Sequence, residues 1–280
     1  MTLPFKRIQP WQRGLIVGAL VSAAGILGSL SGGFAFLEWA LRDTDVRLRP
    51  LEPKDERIVV VTIDESDIQL AGQWPASDEF LAKVIRAIDA QDPHSIGLDL
   101  YRDLPVEPGN AELIELFENT ENLYGIEQVG GQSVAPPPTL ERVDRVTSND
   151  SVQDLDGRVR RGIVGILRSD GVYREGLATR LALQYLEAQG LELEMIDPKE
   201  QILKIGQALF RPVTPKVGDY MPDGGGYQIF LNYRGSLDRF LHISLADVAD
   251  GRVPEGFFRD RIVLIGPIAP STNDELQTPY

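Results

Sequence analysis

Cysteine is absent from the chain, and only two histidines occur, His94 and His242. The first absence excludes disulfides, thiolate metal sites and cysteine nucleophiles together. It leaves the compartment open, because exported domains of this size also fold without disulfides. Two histidines are too few for a histidine-rich metal centre, and a Ser-His-Asp triad would have to use one of them. His242 stands between Leu241 and Ile243 and reads as a structural side chain. Positive charge is scarce too: 28 Lys and Arg face 42 Asp and Glu, a net charge of -14. Such a surface repels phosphate backbones, so nucleic acid is not an expected partner. Ser66, Ser77 and Ser244 lack a G-x-S-x-G setting, and Gly224-Gly225-Gly226 lacks the Lys-Ser/Thr of a phosphate loop. No catalytic residue, metal site or cofactor is therefore expected.

What the chain does have is one long uncharged run, Gly14 to Leu37, bracketed by Arg13 and Glu38 with Trp11 and Trp39 at its ends. About 20 apolar residues suffice to cross a bilayer as a helix, and aromatic anchors belong at its interfaces. The competing reading is a cleaved signal peptide, with Lys6, Arg7 and Arg13 as its basic start and Gly33-Phe34-Ala35 near a cleavage site. Its apolar core would normally hold only about 7–15 residues, which favours the anchor. Arg42, Arg47 and Arg49 follow the run closely, so charge alone does not orient it. Gly14-x-x-x-Gly18 and Gly28-x-x-x-Gly32 allow close helix approach, the basis for expecting a homodimer.

Beyond it the pattern changes period. "RIVVVTIDE" (57–65), "SIGLDLY" (95–101), "NLYGIEQ" (122–128) and "RIVLIG" (261–266) read as buried strands. Apolar residues at 80, 81, 84, 85 and 88 stripe a helix over 77–91 with Ser77 as its cap. A second helix is expected over 110–120, a third over 173–190 ending on Gly190, and a short one over 244–251. "VGGQSVAPPP" (129–138) reads as a loop or the start of an insertion, 149–168 as a polar turn feeding a strand, 192–223 as short strands and turns, and 226–235 as a strand. The fold class expected is α/β: an N-terminal transmembrane helix in residues 1–43, then a domain over 44–280 with a mainly parallel sheet, covering helices and a β-rich insertion.

In an open parallel sheet, ligands bind outside the carboxyl ends of the strands. Asp64, Glu65 and Asp67 follow the first strand and Asp99 the second, four carboxylates that could hold a cation or an amine. Helix capping and buried hydrogen bonding explain them equally simply. Asp154-Leu155-Asp156-Gly157 lacks the remaining ligands of a calcium loop and reads as a polar turn.

Together, "LEWALRDTDVRLRP", "IVVVTIDE", "GQWP", "IGLDL", "DLDGRVRR", "FLNYRG" and "IVLIGPIAPSTNDELQTPY" resemble the type-two CHASE domain, the cyclase/histidine-kinase-associated sensory extracellular domain of bacterial receptors. The resemblance runs from about residue 15 to the end. It implies an extracytoplasmic sensor anchored in the cell inner membrane, controlling a C-terminal adenylate or diguanylate cyclase or a kinase. A membrane-anchored extracytoplasmic α/β enzyme is the competing class, since fold alone does not choose between them. Asp64, Trp74, Asp99, Asn232, Arg234 and Asp274 are the expected sensing cluster for an unknown ligand or physical stimulus. Asp64 and Asp99 are expected on neighbouring strands, and Arg234 beside one of these carboxylates or an anionic ligand. A structural network of caps and salt bridges would gather the same residues.

Overall fold

The computed structural model describes residues 9–30, 34–213, 226–272 and 276–280. These divide into a helical unit ending at Leu48 and an α/β unit beginning at Arg49. In the first, α1 (Pro10–Leu30) is followed by α2 (Ala35–Leu48). The expected single helix over 14–37 is thus not one element. The sequence between the two, Ser31-Gly32-Gly33, contains the poorest non-proline helix former twice over. A helix of 21 residues is about 31 Å long, close to the thickness of a bilayer core. The Pro10–Ser29 segment of α1 has a mean hydropathy of 1.3 and none of it is buried in the protein. A helix apolar all round and uncovered by protein is a candidate membrane span. α2 is polar by contrast, with Trp39, Asp43 and Val46 spaced along one buried face.

The α/β unit is centred on β1 (Asp55–Ile63), β2 (Ser95–Leu98), β3 (Leu123–Glu127) and β4 (Val146–Ser148), joined later in the chain by β12 (Phe240–Ser244) and β13 (Ile262–Pro267). They form one six-stranded sheet, order β12-β1-β13-β2-β3-β4, and every pairing in it is parallel. Parallel sheets must be covered on both faces, which is why these strands are continuous apolar runs. One face carries α3 (Glu65–Ala71), α4 (Asp78–Asp89), α5 (Asn110–Asn119), α6 (Pro138–Arg142) and α8 (Leu245–Ala249). There Val59, Val61, Ile63, Val263 and Ile265 meet Leu81, Ile85, Ile88, Leu113, Leu140 and Val248 in the main core. The other face carries α7 (Leu177–Glu187), whose Leu177 and Leu181 pack with Ile126 and Ile262. α7 crosses at Gly97 on β2, where an added Cβ would come within 2.7 Å of the Leu181 side chain.

The insertion is antiparallel. β5 (Ser151–Gln153), β6 (Val159–Leu167), β7 (Tyr173–Glu175) and β11 (Tyr227–Phe230) form a four-stranded sheet around β6. A three-stranded sheet, β8 (Leu193–Asp197), β9 (Ile202–Ile205) and β10 (Ala208–Phe210), completes it. Two elements differ from expectation. The helix expected over 173–190 opens only at Leu177, because Tyr173–Glu175 pair with β6 as β7, and it closes at Glu187 with Ala188 as its cap, Gly190 following in the left-handed region at φ +76°. The strand expected over 226–235 stops at Phe230, so Asn232 and Arg234 lie beyond it.

Candidate functional site

Because the main strands all run one way, their carboxyl ends share a rim. Asp64 sits on it as the N-cap of α3: its Oδ1 accepts from the Ser66 amide at 2.8 Å, the Ser66 hydroxyl at 2.6 Å and the Asp67 amide at 3.0 Å. Those bonds, the Ser66 hydroxyl first, hold its carboxyl below the usual range. Asp67 returns the capping box to the Asp64 amide at 2.9 Å, and its other oxygen accepts from Ser244 Oγ and the Ala246 amide. Asp64 and Asp67 thus cap α3, Asp67 also ties it to β12 and α8, and Glu65 accepts from the Ser271 amide at 2.9 Å. Trp74 packs partly buried against the main core.

Asp99 follows β2 on the same rim but not on a neighbouring strand. β13 lies between β1 and β2, setting Asp64 and Asp99 two strand spacings apart, roughly 10 Å. The assumption that consecutive strands pair fails here because the last strand of the chain enters between the first two. Asp99 accepts from Asn149 Nδ2 at 2.7 Å, and the Asn149 amide donates to the Glu127 carbonyl at 3.0 Å.

Arg234 and Asn232 lie elsewhere. Arg234 pairs with Asp55 at 3.0 Å and Glu52 at 3.2 Å, and Asp55 also takes both Nε and Nη2 of Arg57, at 2.9 and 2.7 Å. The Arg57 hydrogen bond is the main reason the Asp55 carboxyl falls to about 2. Asn232 accepts from Arg49. Asp55 begins β1 and Asp64 follows its end, a distance of about 30 Å for nine extended residues. The single cluster expected from the sequence is thus divided between the two ends of the sheet, and Arg234 pairs with neither Asp64 nor Asp99. Asp274 lies outside the described residues.

Sequence reasoning missed a larger feature. Beside the carboxyl end of β3 opens a cleft of about 1200 Å³, walled by the loop after β3, the β6–β7 hairpin and the edge of the β8–β9 ribbon. Gln128 and Val134 pair across that loop, and the Val129 and Gly130 amides donate to Asp150 at 2.9 and 2.6 Å. The buried carboxylate of Glu127 meets Arg174 at 2.5 Å and Arg168 at 3.3 Å, and both arginines reach Glu141 on α6. Burial opposes the Arg168 cation, yet Glu127, Asp170 and Glu141 outweigh it and raise its pKa. Tyr173 also lines the cleft, its phenol raised by burial and then by Glu175. Gly165 is needed opposite it, since an added Cβ would fall 1.9 Å from the Tyr173 hydroxyl. Val164, Leu193 and Leu203 supply apolar wall. Concave, largely apolar, with a few convergent charges, this is the usual form of a small-molecule site. Two signals pointed here: a glutamate ending the third strand, and the Gly-rich segment after it.

The "DLDGRVRR" segment settles into a buried lattice. Arg160 pairs with Asp154 and Asp156, each at 2.7 Å, and Arg161 with Asp154 at 2.8 Å and with Gln228. Among the described residues no group of three or more His, Cys, Asp or Glu is arranged to hold a metal ion. A comparison with protein families matches the CHASE2 domain over residues 17–280. The chain belongs to the CHASE2 family. No curated protein and no solved structure matches it. CHASE2 domains are extracytoplasmic sensory domains of signalling receptors and are typically non-catalytic.

In this CHASE2 domain the C-terminal segment is fastened to the insertion. The Val159 amide donates to the Gln277 carbonyl at 2.8 Å, Arg158 and Gln277 form a parallel bridge, and Tyr280 stands edge-on to Tyr233 with ring centroids 6.5 Å apart. The Tyr233 hydroxyl in turn donates to the Val159 carbonyl at 2.8 Å. β6 therefore touches the cleft at Val164–Leu167, and its first residue, Val159, with Arg158 just before it, meets the C-terminal segment.

Proposed function

We propose that this chain is the input region of a transmembrane receptor, with residues 1–13 cytoplasmic, α1 as the single span of this region and the α/β unit outside. The domain would control a C-terminal cyclase or kinase, and it would act as a homodimer. The stimulus is read at the carboxyl rim, where the cleft opens and where Asp64, Trp74 and Asp99 stand. Asn232 and Arg234 brace the opposite end.

The observation that carries this reading is β6. One strand lines the cleft near its end and holds the segment around Gln277 near its start, so an occupant that shifts the hairpin also biases the segment leading out of the domain. A ligand can move such an equilibrium only by its differential affinity for the two arrangements. This region has no cysteine of its own to compete with an introduced pair. In the full-length receptor, Arg158→Cys with Gln277→Cys would lock the bridge on oxidation. Output that stops responding when oxidised and recovers on reduction supports the coupling. Unchanged signalling in both states would remove it. Topology is tested separately by protease accessibility: cleavage near residue 150 in intact cells is expected, and cleavage only after lysis would overturn the orientation.

A further inference from the structure

The cleft beside β3 is lined by charges that their own partners leave unevenly balanced. Gly165 on β6 is the register partner of Glu175 on one side and of Tyr227 on the other. Opposed residues share a face of the sheet, and Tyr173, two residues before Glu175, shares it too. All four line the cleft. The Glu175 side chain is 29% exposed, and its one ion-pair partner among the described residues is Arg180, at 3.4 Å. Arg180 stands closer to Glu187, at 2.9 Å, so it serves two carboxylates. Arg168 lines the cleft as well, but Glu127, Glu141 and Asp170 pair with it at 3.3, 3.2 and 3.0 Å. An entering anion would have to displace one of those three carboxylates. An entering cation finds Glu175 open and beside it the Tyr173 phenol, whose pKa burial and then the nearby Glu175 raise.

The apolar wall sets the remainder of the molecule. Leu193 and Met195, alternate residues of β8, point to one face roughly 7 Å apart, about the length of an extended six-carbon chain. They are 36% and 52% exposed, and Leu203 pairs with Met195 across the ribbon. All three line the cleft, whose volume of about 1200 Å³ admits a charged head and an apolar body together. We propose that the cleft binds an amphipathic organic cation, its ammonium on Glu175 and the Tyr173 phenol, its apolar body along Leu193, Met195 and Leu203. An ammonium donates charge-assisted hydrogen bonds to both oxygens and is drawn to the face of a tyrosine ring. The body gains by removing exposed leucine and methionine surface from water.

This names the chemistry of the cleft's occupant and so rests on the reading of the cleft as the site of input. The test is calorimetry on the full 280-residue chain in phosphatidylcholine nanodiscs, with the titration of empty nanodiscs subtracted. Hexylamine is expected to bind saturably, with hexanoate, 1-hexanol and methylamine each at least tenfold weaker. Glu175→Gln is expected to weaken hexylamine at least tenfold and to leave 1-hexanol unchanged, with circular dichroism checking the fold. If that variant unfolds, the discrimination among the probes by the unaltered chain still decides. No saturable binding of hexylamine, equal binding of hexanoate or methylamine, or unchanged affinity in a folded Glu175→Gln variant would each overturn the proposal. Binding is read on this chain and output on the full-length receptor, so the two readings fail separately. Selective hexylamine binding that leaves output unmoved keeps the proposal and removes the cleft as the input site. Output that responds to the cysteine lock, without hexylamine binding, overturns the proposal alone.

Discussion

The parallel sheet and the antiparallel insertion of the α/β unit are held together by opposite means. Val59, Val61, Ile96 and Val263 of the parallel sheet, and Ile85 of the α4 helix that covers it, are wholly buried among apolar neighbours. Inside the antiparallel insertion the most buried large side chain is Arg161, 1% exposed, locked with Arg160, Asp154 and Gln228. An apolar core tolerates adjustment because its forces are not directional. A buried ionic lattice holds only while every member is present, since the desolvation of each charge is offset by its partners alone. The parallel sheet is thus the scaffold, and the insertion, which carries the cleft wall and the C-terminal attachment, has the more switch-like cohesion.

Breaking that contrast should have its largest effect at Asp154. Asp154→Ala removes one carboxylate partner from each of the buried Arg160 and Arg161, and should cost about 3–5 kcal/mol by urea denaturation. Replacing Asp154, Arg160 and Arg161 together by Leu, Met and Leu should cost clearly less than the single change. A triple variant as unstable as Asp154→Ala would mean the lattice is not what distinguishes the insertion. Against the parallel sheet, on α4, Ile85→Ala should cost about 2–5 kcal/mol through the cavity it opens, with no comparable gain from changing its neighbours. At the carboxyl rim, Asp64→Ala removes a cap worth about 1 kcal/mol. A much larger loss measured by thermal melting would show that Asp64 supports more than α3.

The smallest effect concerns the amino end of the sheet and is one of slope. The Asp55 carboxyl lies at about 2, below its ordinary value of 3.8. A depressed pKa adds stability that is present above the unfolded value and is lost as pH falls through the folded one. The stability difference between the unaltered chain and Asp55→Asn should therefore shrink from about pH 4 to about pH 2. Its size is limited because Arg57 is 56% exposed and the pair is screened. A difference constant across that window would show that Asp55 titrates alike folded and unfolded.

Much of the scaffold was legible because its signals are local. The stripe from Phe80 to Ile88 and the cap at Ser77 define α4 within two residues, and Ile58 to Ile63 carries β1 as an apolar run. Asp64 as a cap was readable from its place before a helix turn. β12 and β4 were not found: three to five residues carry too little periodicity to stand out. The cleft was half legible, in Glu127 and the glycines after it, but its far walls come from residues between Val164 and Tyr227, distant in the chain. The expected grouping of Arg234 with Asp64 and Asp99 did not form for the same reason: Arg234 pairs with Asp55 and Glu52, partners separated from it by about 180 residues.

The sequence by itself determined the apolar helix, the acidic surface without cysteine chemistry, the type of most long elements and, through its ordered motifs, the family. Those are properties of composition and of short-range period, which the chain expresses wherever it folds. Only the tertiary structure decided that β13 enters between β1 and β2, that Arg234 pairs with Asp55 and Glu52, and that β6 joins the cleft to the C-terminal segment. Strand order and ion-pair choice depend on which distant surfaces exclude water from one another, and no local pattern encodes that.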